Sequence, residues 1–150
     1  MVNMEEITAR DSSLYARLLL GRARHLMIKA RTKELTPYHI SPRQANVLFV
    51  LYNLGHKATL SELAKHTDRE KNTLSIQLTR MERDGIVNKV RETPKSTLIS
   101  FELTEKGIVT YNYAKKSKTI KQIMSVLSEE ERQELIAILK KIINKAGKYQ

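Results

Sequence analysis

Between Thr59 and Gly85 the chain has room for two helices and almost no linker between them. Thr59-Leu60-Ser61-Glu62 has the capping-box spacing, a hydroxyl at the cap and a carboxylate three residues on, so a helix begins there. Leu60, Leu63 and Ala64 supply its inward face, and the pattern stops near Thr67-Asp68. A second helical pattern runs from Arg69 to Asp84, its buried line formed by Leu74, Leu78 and Met81. Gly85 terminates it, and beyond Gly85 the apolar period changes from that of a helix to that of a strand. Ile86–Glu92 and Thr97–Leu103 are expected strands, with Ile99, Phe101 and Leu103 alternating against Leu98, Ser100 and Glu102. Thr93-Pro94-Lys95-Ser96 between them is turn chemistry. The expected unit is a helix-turn-helix followed directly by a β-hairpin wing.

The flanking segments explain how that unit is mounted. Asp11–Lys33 reads as a long first helix with two apolar lines, one through Leu14, Leu18, Gly21, His25 and Ile28 and one through Leu19, Ala23, Leu26 and Ala30. Two lines imply two burial surfaces, one within the domain and one against a partner chain. After the break at Thr36-Pro37, Ser41 caps a second helix, Pro42 suits its first turn and Gln44 returns a hydrogen bond to the cap. Ala45, Val47, Leu48, Leu51, Tyr52 and Leu54 make that helix apolar on most faces, so it belongs at the centre of the core. Thr104–Leu127 is expected as one long helix, and Ser128-Glu129-Glu130-Glu131 opens a last one. There Leu135, Ile136, Ile138, Leu139, Ile142 and Ile143 cover an arc of about 160° at about 100° per residue. So wide an apolar face requires a partner surface, and the expectation is a homodimer made by the terminal helices.

The fold class that follows is mainly α with one β-hairpin (α+β), a single winged helix-turn-helix protein. Its winged-helix lobe spans 38–103, and 11–36 and 104–147 are dimerisation helices.

Charge narrows the partner. Lys and Arg number 27 against 16 Asp and Glu, a formal net charge of +11, which favours a polyanion. The absence of cysteine excludes disulfides, thiolate metal sites and thiol redox sensing. Val47–Leu54, the most apolar run, is far short of the roughly 20 residues that cross a bilayer. The acidic N-terminus has no apolar core of a signal peptide, so a soluble cytoplasmic protein with no membrane partner is expected. His25, His39, His56 and His66 lack ligand spacing, and no nucleophile–base pair, Gly-rich phosphate loop or paired carboxylates stand out. No metal, no cofactor, no catalytic residue and no enzymatic activity are therefore expected.

Five short motifs in order resemble the MarR family of winged-helix transcription regulators over nearly the whole chain. They are Ser41-Pro42-Arg43-Gln44; Leu60-Ser61-Glu62-Leu63-Ala64; Thr73-Leu74-Ser75 with Arg80-Met81-Glu82; Gly85-Ile86-Val87; and Leu103-Thr104-Glu105-Lys106-Gly107. The resemblance implies a homodimer on a palindromic operator, each recognition helix in a major groove and each wing near a minor groove. On that analogy Lys71, Asn72, Ser75, Ile76 and Thr79 face base edges, a set that also lies opposite Leu74, Leu78 and Met81. Thr59, Ser61, Thr73 and Arg80 are then phosphate candidates, although Thr59 and Ser61 also read as helix caps, and Arg80 and Arg83 as partners for Glu82 or Asp84. The wing carries Lys89, Arg91 and Lys95. Its tip departs from the family's Asp-Arg-Arg pattern, with Lys95, Ser96 and Thr97 at the matching positions. The resemblance further implies a small-molecule pocket that relieves DNA binding, with Arg17, Arg22, His25, Tyr38, His39 and Tyr52 on the segments that would line it. Two other readings remain at this stage: a winged helix that docks proteins, and a sequence-neutral architectural DNA binder.

Overall fold

The computed structural model describes residues 3–150. They form two compact units, one running to Ser117 and one spanning Lys118–Gln150.

In the first unit a short helix α1 (Met4–Arg10), capped by the Asn3 side chain, precedes α2 (Ser12–Leu35). The sequence reading did not anticipate α1, which buries none of its residues. Asp11 caps α2 by accepting the Leu14 N–H. Along all 24 residues of α2 only Leu35 is buried, so most of both apolar lines is uncovered by the chain itself.

Helix α3 (Pro42–Asn53) begins with a complete capping box, since Ser41 Oγ accepts the Gln44 N–H at 3.2 Å and Gln44 Oε1 accepts the Ser41 N–H at 2.9 Å. Ser41→Ala removes the first of these bonds at the entrance to the core helix. It should lower stability by about 1 kcal/mol in urea unfolding with an unchanged m value. Ala45, Val47, Leu48 and Leu51 of α3 are buried, and they pack with residues of every neighbouring element. Helices α4 (Leu60–Thr67) and α5 (Lys71–Arg83) follow, each close to its expected bounds, and α4 opens with the expected box between Thr59 and Glu62.

The sheet has three antiparallel strands rather than a hairpin alone: β1 (Lys57–Thr59), β2 (Val87–Arg91) and β3 (Ile99–Leu103), in the order β1-β3-β2. β1 is only three residues long, too short for an alternating pattern to be visible. Its effect is to make β3 a central strand, with Ser100 opposite both Thr59 and Val90. Ser100 was expected on the outward face with Glu102; it is buried, whereas Glu102 is exposed.

The expected single helix over 104–127 is broken. Helix α6 (Glu105–Ala114) stops, Ser117 takes a left-handed φ of 45°, and α7 (Lys118–Met124) begins anew. The Ala114 carbonyl, which a continued helix would offer to residue 118, accepts instead from Arg31 Nη2 at 2.5 Å. A distant arginine on α2 thus shares the Ala114 carbonyl with the nearby Ser117 hydroxyl, which donates to it at 3.4 Å.

The second unit contains α7 and α8 (Glu129–Ala146), the latter opened by the expected Ser128–Glu131 box. Arg132 pairs with Glu129 at 2.7 Å and donates to the Met124 and Leu127 carbonyls, tying α8 to the end of α7. Hydrogen bonds from Gln133 and Arg132 hold the Glu129 carboxyl below its usual range, and those from Ser128 do the same for Glu131. No residue of α8 is buried.

Candidate nucleic-acid interface

Helix α5 is held by one face and leaves the other bare. Leu74, Leu78 and Met81 are wholly buried, while Lys71, Asn72, Thr73, Ile76, Thr79 and Arg80 are exposed and Ser75 is half-buried. Ile76 is 59 % exposed, a large apolar side chain with no cover in the middle of a polar surface. Thr79 Oγ1 donates to the Ser75 carbonyl at 2.9 Å, so outward it presents a methyl group and oxygen lone pairs. The corner before α5 is set by Asp68 in the left-handed region at φ 52°, a conformation that a short polar side chain tolerates, and by the Arg69 N–H donating to the Ala64 carbonyl.

A hydrogen bond ties the wing to this helix. Glu82 Oε2 accepts the Lys89 N–H at 3.1 Å, so Glu82 braces β2. Arg83 pairs with Asp84, at 3.4 Å and well exposed. At the wing tip the Arg91 guanidinium donates to the Ser96 carbonyl at 3.0 Å, closing the turn in which Ser96 N–H donates to the Thr93 carbonyl. Arg91 is thus a hairpin brace in this structure, and Lys89 and Lys95 are the exposed wing cations. Thr59 acts as a cap, accepting the Glu62 N–H at 3.2 Å, and Ser61 beside it is exposed.

Alongside α5 runs a groove of about 440 Å³, lined by Ser41, Arg43 and Gln44 of the α3 entrance and by Thr73, Ile76, Gln77 and Arg80 of α5. The sequence reading placed Thr73 and Arg80 at a phosphate surface but gave Arg43 and Gln77 no contact. Gln77, half-buried, lines this groove.

The proposed pocket residues are not among those lining the groove. Arg17, Arg22 and His25 are exposed on α2. Tyr38 stacks on Tyr113 with centroids 4.8 Å apart, and Tyr52 stacks on Tyr111 at 4.1 Å and lies 4.8 Å from His56. Tyr52 therefore packs as a core aromatic against α6. Among the described residues no group of three or more His, Cys, Asp or Glu converges as a metal would require. No helix among them is long and apolar enough to cross a membrane.

This arrangement has known counterparts. Residues 40–93, covering α3 to the wing, match the family model described as MarR family. The organohalide-sensing transcriptional regulator RdhR-CbdbA1625, solved in 2,4-dichlorophenol-bound and ligand-free forms, superposes with a TM-score of 0.84 at 28% identity, over 90% of this chain and 81% of that one. Over residues 40–93 the chain is similar to the MarR family, and over most of its length it has the fold of that regulator. The same fold is that of the S. aureus MepR–DNA complex, with a TM-score of 0.79 at 23% identity over 86% of this chain and 96% of that one. AbsC, a MarR family transcriptional regulator from Streptomyces coelicolor, gives a TM-score of 0.79 at 24% identity, over 91% and 95% of the two chains. No curated protein sequence matches the chain.

Proposed function

We propose that this chain is a homodimeric repressor of the MarR family that reads a palindromic operator with α5 and is released by a small-molecule ligand. The observation that carries the reading is the division of α5 between three wholly buried anchors and an exposed face bearing Lys71, Asn72, Ile76 and Thr79. A helix so anchored offers fixed side chains to a major groove about 12 Å wide. Asn72 suits the paired donor and acceptor of adenine, Lys71 the acceptors of guanine, and Ile76 with the Thr79 methyl the methyl group of thymine. Ser75 lies on the same face, half-buried. Thr73, Arg80, Ser61 and Lys95 serve the phosphates, which fix register without reading sequence. With Arg91 engaged by Ser96, the wing contributes charge rather than an arginine in the minor groove.

Release by a ligand is supported by the 2,4-dichlorophenol bound to the RdhR-CbdbA1625 relative. DNA binding is supported by the same fold in the S. aureus MepR–DNA complex. Asn72→Ala tests the base-reading role. In titrations against a selected duplex and its single-base variants, it should cost about 1–3 kcal/mol on the parent sequence and abolish discrimination at one position per half-site. An equal loss on every duplex, with discrimination intact, would contradict the assignment.

A further inference from the structure

The groove beside α5 is walled by hydrogen-bond donors and, among the described residues, by no acid. Arg43 and Gln44 from the first turn of α3 and Thr73, Gln77 and Arg80 from α5 supply those donors, and Ile76 is its large apolar residue. Other arginines of the chain are engaged: Arg31 with Glu34 at 2.7 Å, Arg83 with Asp84, Arg132 with Glu129, and Arg91 with the Ser96 carbonyl. Among the described residues no ion pair or side-chain hydrogen bond engages Arg43 or Arg80. Glu82, two positions from Arg80, is instead taken by the Lys89 N–H. Gln44 Oε1 is committed to the Ser41 N–H, which leaves the amide N–H groups of Gln44 for a ligand.

Two guanidinium groups from different helices, with amide donors beside them and no carboxylate, make a seat for an oxyanion. Which oxyanion follows from where the groove lies. Ile76 lines it and also stands on the exposed face of α5 that carries Lys71, Asn72 and Thr79, so groove and reading face are continuous. A duplex whose bases meet that face lays its backbone along the groove, and about 440 Å³ exceeds what a bare phosphate fills and admits the sugar beside it. We propose that the groove seats one sugar–phosphate step of the bound duplex, with Arg43 and Arg80 gripping the same phosphodiester from two helices. The proposal rests on the DNA-binding reading above and adds the core helix α3 to the elements that hold DNA, through Arg43 and Gln44. A phosphate held from α3 and α5 together fixes the depth and register of α5 without itself reading sequence.

The test is a scan of single phosphates. One linkage at a time, in one half-site of a duplex selected from random sequence, is made a neutral methylphosphonate, and binding by the full chain is titrated. One linkage should weaken the unsubstituted chain by about ten- to a hundredfold, the range of a charged hydrogen bond. At that same linkage the loss should be smaller for Arg43→Gln and for Arg80→Gln and nearly gone when both are changed, because the partners of the missing charge are already absent. Lys89→Gln, on the wing, is the positional control and should keep the full loss there. Both arginines are exposed, so the variants should melt near the parent temperature, and thermal unfolding checks the fold.

The same loss at every linkage for Arg43→Gln as for the unsubstituted chain would overturn the seat while leaving the DNA-binding reading intact. Relief by Arg43→Gln and by Arg80→Gln at two different linkages would overturn the shared grip. Unchanged losses, together with inorganic phosphate raising the melting temperature of the unsubstituted chain but not of Arg43→Gln, would reassign the groove to a free anion and overturn the proposal. No retention of any duplex by the unsubstituted chain would overturn both readings.

Discussion

On the proposed homodimeric reading, Ile138→Glu combined with Ile142→Glu should turn a dimer of twice 17.3 kDa into a monomer of 17.3 kDa in light scattering, with the helical signal of the chain retained. The two side chains lie one turn apart on α8 and are 53% and 47% exposed, so neither carboxylate enters the core of its own chain. Their apolar surface nevertheless continues with Ile136 and Ile143, at 43% and 68% exposure, into a face wider than scattered surface residues produce. Leu19, Leu20 and Leu26 leave α2 in the same condition. A charge set into a proposed chain–chain interface is desolvated without a partner, which is among the costliest changes an interface can suffer. Loss of the dimer removes the second half-site from each binding event, so affinity for a palindromic duplex should fall by about 10²- to 10⁴-fold. A variant that stays dimeric would place the chain–chain contact elsewhere.

Gly107→Ala should destabilise the first unit by about 3 kcal/mol, at the upper end of typical overpacking costs, and lower Tm by about 6–12 °C for a chain of this size. A Cβ at Gly107 would stand 2.2 Å from the Ile86 carbonyl oxygen and 3.2 Å from Leu103 Cδ2. The backbone oxygen cannot turn aside as a flexible side chain would. The first turn of α6 is also bonded to the turn after α5: Thr104 Oγ1 lies 2.6 Å from the Gly85 carbonyl and 3.0 Å from that of Ile86, and Lys106 Nζ donates to the Asp84 carbonyl at 2.7 Å. Separating these segments moves the point where the recognition helix gives way to β2. Gly107→Ala should therefore weaken DNA binding beyond its loss of folded protein, measured at a temperature where the variant is fully folded. Thr104→Val, which keeps the close approach and loses only the hydroxyl bonds, provides the comparison and should cost less.

The parts of this fold that local chemistry determines could be read from the sequence. Ser41, Thr59 and Ser128 each sit three residues before Gln or Glu, and all three form complete capping boxes. Leu74, Leu78 and Met81 repeat at helical spacing and are wholly buried. The parts set by distant partners were not legible. β1 is three residues long and exists because β3 has a free edge beside Lys57–Thr59. The end of α6 draws on Arg31, 83 positions away, as well as on the nearby Ser117, whose Oγ donates to the Ala114 carbonyl at 3.4 Å. Ser100 looks like an outward residue until its strand is found to have neighbours on both sides.

The candidate site divides in the same way. The face of α5 follows from its periodicity, so Lys71, Asn72, Ile76 and Thr79 were predictable and are exposed together. The use of Arg91 as a brace depends on where the Ser96 carbonyl points, which composition does not encode. Arg43 gave only the signal of lying in the first turn of α3, and its place in the groove required the packing of α3 beside α5.

Selection of duplexes from a random pool, with the full chain as bait, tests the central claim most directly. The account predicts convergence on an inverted repeat whose half-site centres lie about one helical turn, 34–36 Å, apart, and retention of two chains per duplex. A pool that stays random after repeated rounds, bound as tightly as at the start, would contradict sequence reading by α5.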